Sequence, residues 1–128
     1  KDQAQPLDRL LVVYNGSPKS REALFVSAYL AGRYGARLWL LTLDDGSPDL
    51  ETEMSYAKTY LRKLNLDYEY IFRKDGNLAD AILEEAAANG ASAILIGGYS
   101  GSSLFDRLFG SNIDSLLQKT KLPVLICQ

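Results

Sequence analysis

The sequence contains no histidine, and this absence excludes several kinds of chemistry. None of the 128 residues is histidine, so the chain has no Ser-His or Cys-His catalysis, no His-containing zinc site and no imidazole base. Its one cysteine, Cys127, stands next to the last residue, and no disulfide can form within the chain. Sparse cysteine is typical of a reducing compartment, so we expect a cytoplasmic location.

The sequence also lacks strong charge and long apolar runs. The formal net charge is −2 and no segment concentrates Lys or Arg, so we expect no nucleic-acid partner. The longest apolar runs, such as Leu10–Tyr14 and Leu38–Leu41, are far too short to span a bilayer. No signal-peptide pattern opens the chain. We therefore expect no membrane contact by this domain.

Length and composition are those of one globular domain. Apolar residues make up 47% and charged residues 23% of the chain, an ordinary balance for a folded protein. A chain of this length suits a single core. Residues 1–6 are polar and carry no periodic pattern, so we interpret them as a linker or a domain boundary. The domain itself is expected over residues 7–128.

Short apolar runs alternate with helical patterns along the chain. Strands are predicted over 10–14, 38–43, 68–72, 93–96 and 123–126, and helices over 18–34, 51–64, 77–90 and 111–119. Apolar runs without alternation are typical of strands buried on both faces of a parallel sheet. The order predicts an α/β fold with helices on both faces and right-handed crossovers. In such sheets, ligands bind beyond the carboxyl ends of the strands where the strand order reverses.

Two similar glycine turns follow the first and fourth predicted strands. They are Tyr14-Asn15-Gly16-Ser17 and Tyr99-Ser100-Gly101-Ser102. If the fourth strand lies beside the first, the two turns meet at one edge of the sheet. Glycine lets a ligand approach the backbone, and exposed amides there can hold an anion. The alternative interpretation is that strand-to-helix turns simply use Gly and Ser.

A longer glycine pattern follows the fourth strand. Gly97-Gly98-Tyr99-Ser100 is followed by nine residues and then by Gly110-Ser111. Ser111 is expected to begin a helix whose amino end faces the same crevice, an arrangement suited to an anion. Ser111 with Asp114 also forms a capping box, and the two roles are compatible.

This pattern resembles the nucleotide motif of ATP-binding universal stress proteins. The motif is Gly, two residues, Gly, nine residues, then Gly followed by Ser or Thr, and the chain is similar to it from Gly97 to Ser111. Ser100 stands at the second motif glycine. A register that starts at Gly98 and Gly101 leaves eight residues before Gly110, so we prefer the first. The resemblance continues over 13–23, 76–91 and 123–126.

The resemblance implies a Rossmann-like, adenine nucleotide-binding fold with strand order 3-2-1-4-5. It implies a regulatory role in stress responses, ATP or possibly AMP or ADP as ligand, magnesium possible with the nucleotide, and weak or no hydrolysis. A homodimer through the last strand is also implied. The alternative is a nucleotide-free dimerisation or interaction module of the same fold.

The same resemblance assigns site residues by position. Asn15, where the family usually has Asp, and Leu43 are expected near the adenine and ribose. Gly97, Gly110 and Ser111 are expected around the phosphates, with Ser100 close by. The remaining expected lining residues are Tyr14, Gly16, Gly98, Gly101 and Asn112, and no catalytic or metal-binding residue is expected.

Other motifs favour plain structural roles. Asp44-Asp45 ends the second strand; a receiver domain or a magnesium site uses such a pair, but a solvated loop is the preferred interpretation. Neither Gly-x-x-x-x-Gly-Lys-Ser/Thr nor Gly-x-Gly-x-x-Gly occurs. Trp39 is expected in the core rather than as a stacking platform.

Overall fold

The computed structural model describes residues 7–74, 76–98 and 113–127. Its strands are β1 (Arg9–Val13), β2 (Arg37–Leu43), β3 (Tyr68–Arg73), β4 (Ala93–Gly97) and β5 (Val124–Cys127). They form one parallel sheet in the order β3-β2-β1-β4-β5. The predicted α/β fold and strand order are therefore confirmed.

Local signals set the ends of the helices. The helices are α1 (Pro18–Tyr34), α2 (Leu50–Lys63), α3 (Leu78–Ala88) and α4 over 113–119. The Ser17 hydroxyl accepts from the Ser20 amide at 3.2 Å, and Pro18 occupies the first helical position, as a capped amino end requires. Gly35 ends α1 with φ +71, a left-handed conformation that glycine adopts without a Cβ penalty.

The helices cover both faces of the sheet and create two core layers. On one face, α1 and α2 contribute Ala23, Leu24, Ala57 and Leu61. On the other, α3 and α4 contribute residues such as Ile82, Ile113 and Leu116. Alternate strand residues point into each layer, so the central strands have apolar residues on both faces. No helix among the described residues has the length and apolar character to cross a membrane.

Trp39 lies in the second layer with 4% of its surface exposed, which confirms that it is a core residue. The guanidinium carbons of Arg9 and Arg37 lie 4.6 and 5.2 Å from its ring centre. Such cation–π contacts stabilise both partners. Arg9 and Arg37 are the first residues of β1 and β2, so this cluster lies at the amino end of the sheet.

The observed bounds differ slightly from the predicted ones. Strand β1 ends at Val13 rather than Tyr14, although the Tyr14 amide still donates to the Leu41 carbonyl at 2.9 Å. Helix α2 begins at Leu50 and ends at Lys63, one residue earlier at each end. The start predicted for the fourth helix, at Ser111, lies outside the described residues.

Candidate functional site

The carboxyl ends of β1 and β4 meet where the strand order reverses. The two strands pair in parallel, with Val12 opposite Leu95. The helix that follows β1 packs on one face, and α4, which follows β4, packs on the other. Chains that diverge in this way leave a crevice between two neighbouring strand ends. The candidate site is built around this crevice.

The β1–α1 turn is held by its own side chains. Asn15 Oδ1 accepts from the Ser17 amide at 3.0 Å, and the Asn15 amide donates to Ser20 Oγ at 3.3 Å. Gly16 has φ +88, a conformation that L side chains rarely adopt. The Asn15 side-chain NH₂ has no hydrogen-bond partner within residues 7–74, 76–98 and 113–127. The turn is therefore fixed in shape by bonds among its own side chains and amides.

A cluster of Tyr14, Arg21 and Glu53 braces this turn from α2. The Arg21 guanidinium donates to both Glu53 oxygens at 2.8 and 3.1 Å, and the Tyr14 hydroxyl donates to Oε1 at 3.2 Å. Burial raises the pKa of Tyr14 well above its ordinary range. The hydrogen bond to Glu53 raises the pKa of Arg21. Sequence reasoning missed this cluster, because no spacing rule links residues 32 positions apart.

Thr42 joins the ends of three strands. Its buried hydroxyl donates to the Tyr14 carbonyl at 2.6 Å and lies 2.6 Å from the Tyr70 hydroxyl. Because the single hydroxyl hydrogen of Thr42 is used on Tyr14, Tyr70 is the donor in the second contact. Burial raises the pKa of Tyr70 to about 12. These bonds hold β1, β2 and β3 together beside the candidate site.

The raised pKa of Tyr70 predicts a loss of stability at alkaline pH. The unfolded chain ionises near pH 10, so Tyr70 stabilises the fold fully below that pH. This contribution is lost as the pH rises from about 10 towards about 12, because only the unfolded chain readily accommodates phenolate. Urea unfolding from pH 8 to 11.5 should show Tyr70→Phe with a shallower decline than the wild type. Equal declines in the two proteins would contradict the prediction. The mutant should still lose some stability, because burial also raises the pKa of Tyr14.

The end of β4 packs directly on the first turn of α1. A Cβ added at Gly97 would lie 2.5 Å from the Lys19 carbonyl carbon and 2.6 Å from the Ser20 nitrogen. The Gly98 amide donates to the Cys127 carbonyl at 2.8 Å. The structure therefore brings Gly97 and the β1–α1 turn together, and close packing alone already requires glycine at position 97.

Leu43 ends β2, half-buried against the layer that contains α3. Asp44 and Asp45 follow it as exposed loop residues. Their carboxylates accept from the amides of Gly46 and Ser47 at 3.0 and 2.8 Å. The solvated-loop interpretation of this acidic pair agrees with these local bonds. Five expected site residues lie outside the described residues, namely Ser100, Gly101, Gly110, Ser111 and Asn112.

Comparison with known sequences decides the family. The sequence model of the universal stress protein family matches residues 6–128. This chain belongs to that family. The comparison with curated protein sequences finds no significant match.

Solved universal stress proteins share the fold. One from Archaeoglobus fulgidus DSM 4304 superposes with a TM-score of 0.79 at 20% identity, over 95% of this chain but 44% of its own. The chain thus spans less than half of that relative. A universal stress protein in complex with cAMP gives 0.75 at 22% identity, over 94% and 96% of the two chains. Another universal stress protein from A. fulgidus, in complex with dAMP, superposes with a TM-score of 0.71 at 20% identity, over 94% of this chain and 97% of its own.

The described part of this universal stress protein contains no cluster of three or more His, Cys, Asp or Glu side chains able to hold a metal ion. Burial raises the pKa of the Cys127 thiol, which keeps it protonated and weakly nucleophilic near neutral pH. At the turn and the strand end, the backbone amides of Asn15, Ser17 and Gly98 already donate within the fold.

Proposed function

We propose that this chain is a regulatory domain that binds an adenine nucleotide, ATP in particular, at the crevice between β1 and β4. The observation that carries the proposal is the direct packing of Gly97 against the first turn of α1, which juxtaposes the two strand ends at the switch point. The relatives solved with cAMP and dAMP support an adenine nucleotide as the class of ligand.

Each described site residue has a proposed role. The free amide of Asn15 donates to the base or ribose, and Leu43 supplies an apolar contact to the base. Glu53 fills the space beside Gly16 and engages the Tyr14 hydroxyl, so Tyr14 and Gly16 shape the turn rather than touch phosphate. The phosphates extend past Gly98 towards the segment that holds the remaining site residues.

Binding without appreciable turnover is the proposed mode of action. The sequence has no histidine, and those residues of the candidate site that the structure describes include no activated nucleophile. Magnesium would arrive with the nucleotide phosphates. We propose further that the protein is cytoplasmic, that its domain spans 7–128, and that residues 1–6 are a linker. Nucleotide occupancy would then be the signal that a partner reads.

ATP is expected to raise the melting temperature of the purified protein. At a free concentration of 100 times the dissociation constant, linkage gives about 2.7 kcal/mol of added stability. Gly110→Val should remove the ATP response, because a side chain there would intrude on the phosphates. Gly32→Ala is the matched control: a Cβ at Gly32 meets nothing within 4 Å, and this variant should respond like the wild type.

The measurement is a thermal melt with and without millimolar ATP, ADP or AMP, with the ligand-free stability of each variant recorded separately. Release of adenine nucleotide from denatured wild-type protein is the second readout. If no nucleotide moves the wild-type melting curve and none co-purifies, the proposed nucleotide site is wrong. The alternative function, a nucleotide-free interaction module of the same fold, would then be preferred.

We propose that the domain dimerises through β5. This strand is at an edge of the sheet and is apolar and half-exposed from Val124 to Cys127, features that favour pairing with a second copy. Light scattering should give a dimer for the wild type and a monomer for Val124→Lys. Val26→Lys, at an exposed position on α1, should remain dimeric. A wild-type monomer at high concentration, or a dimer of Val124→Lys, would refute the interface.

A further inference from the structure

An aromatic groove lies between α1 and α2, on the outer surface of the first helical layer. Its volume is about 480 Å³. Phe25, Tyr29 and Tyr60 form its walls, and the small residues Ala28 and Gly32 leave room between them. Tyr29 is 66% exposed and Phe25 is 39% exposed. Contiguous exposed aromatic surface of this kind is more often part of an interaction site than surface without a binding role.

Aromatic contacts hold part of the groove wall, at Phe25 and Tyr60, in place. Phe25 and Tyr60 have ring centres 5.1 Å apart, and Tyr60 stacks on Tyr56 at 6.5 Å. The Arg21 guanidinium lies 4.9 Å from the Tyr56 ring centre and is itself fixed by Glu53. Walls that are already ordered lose little conformational entropy when a partner binds. The wall formed by Phe25 and Tyr60 is therefore ordered before a partner binds.

The two helix segments that border the groove carry only positive charges, and the exposed Asp67, which follows the lining residue Leu66, is paired with Arg37. Segments 23–34 and 54–63 contain no Asp or Glu and four cations, Arg33, Lys58, Arg62 and Lys63, in a chain whose net charge is −2. Arg33 lines the groove. None of the three cations Arg33, Arg62 and Lys63 makes an ion pair within the described part of the chain. These charges are available to an acidic partner.

We propose that the groove binds an amphipathic helix of a partner protein, with apolar residues against the aromatic walls and acidic residues beside Arg33. Grooves of this shape take the i, i+3, i+4 and i+7 positions of such a helix, and opposite charge fixes its orientation. A second copy docking the same face would bring like charges together. Nucleic acid would require a larger basic surface than four cations.

Synthetic peptides of about 18 residues test the proposal. The probe places Leu along one helical face and Glu elsewhere. One control replaces Glu with Lys, and a second keeps the Leu/Glu composition but scrambles the order. Fluorescence anisotropy at physiological salt should show micromolar binding of the probe, at least about tenfold tighter than either control, a difference of about 1.4 kcal/mol.

Variants locate the binding surface. Tyr29→Ser and Arg33→Glu should each weaken binding of the acidic probe about tenfold or more. Tyr34→Ser changes a 57% exposed tyrosine of α1 that does not line the groove, and Lys121→Gln removes an exposed cation elsewhere; both should bind like the wild type. The nucleotide site is not involved in this assay.

Three results would overturn the proposal. The first is no binding of the acidic probe, and the second is equal binding of the Lys peptide. The third is probe binding that Tyr29→Ser leaves unchanged. If single-stranded RNA or anionic vesicles bind instead, and Tyr29→Ser abolishes that binding, the groove belongs to a different class of partner and the helix proposal is wrong.

Discussion

Gly97→Ala is expected to lower the free energy of unfolding by about 3 kcal/mol, at the upper end of the usual cost of overpacking. The added Cβ would lie 2.5 Å from the carbonyl carbon of Lys19, 2.6 Å from its oxygen and 2.6 Å from the Ser20 nitrogen. These are backbone atoms in the first turn of a helix, so they cannot rotate away as a side chain does. Relief requires α1 to move off the sheet. Gly97→Val should be worse still.

Urea denaturation at neutral pH measures this effect, and Gly32→Ala provides the control. Gly32 lies inside α1, where a Cβ meets nothing within 4 Å, so alanine there should stabilise the protein by up to about 1 kcal/mol through helix propensity. A Gly97→Ala protein as stable as the wild type would mean that β4 and α1 are further apart than described. Close approach of a ligand would then be the only reason for glycine at position 97.

Gly16→Ala is expected to cost about 3 kcal/mol, for two separable reasons. With φ +88, any L residue at this position pays about 1–2 kcal/mol of left-handed strain. The new Cβ would also lie 2.4 Å from Glu53 Cγ and 2.6 Å from Cδ, which displaces the carboxylate from Arg21 and Tyr14. Both effects destabilise the turn that borders the candidate site.

A double-mutant cycle with Glu53→Ala tests how much of the cost comes from the Glu53 side chain. Truncating Glu53 removes the two nearest atoms but leaves its Cβ 2.8 Å from the added Cβ. Alanine at position 16 should therefore cost less in that background, while the strain of about 1–2 kcal/mol remains together with this residual contact. Strictly additive costs would show that Glu53 does not cover Gly16. A vanishing cost would show that the turn relaxes its positive φ once Glu53 is absent.

Much of the fold is predictable because its signals are local. Ser17 before Pro18, Gly35 after α1 and Asn77 before α3 each act within a few residues of their position, and each caps a helix. The buried strands are recognisable because both faces are apolar. The strand order required more than local signals, and there the family resemblance supplied what periodicity alone does not.

The bracing of the candidate site could not be predicted in the same way. Arg21 and Glu53 are 32 positions apart, and Thr42 is 28 from both Tyr14 and Tyr70, so only the packing of elements brings them together. The role of Gly97 was ambiguous for a related reason. A glycine required by a neighbouring helix has the same sequence signature as one required by a phosphate. The expected contacts of Ser100, Gly110 and Ser111 remain predictions.

The buried Trp39 gives the protein a built-in optical probe. It is the chain's one tryptophan, it is only 4% exposed, and two guanidinium groups lie close to its ring. Its emission in the native state should therefore be blue-shifted and poorly quenched by acrylamide. Leu43 is four residues further along β2, about 13 Å away at about 3.3 Å per residue. Ligands at the carboxyl edge should therefore leave the emission nearly unchanged, while unfolding moves it to the red.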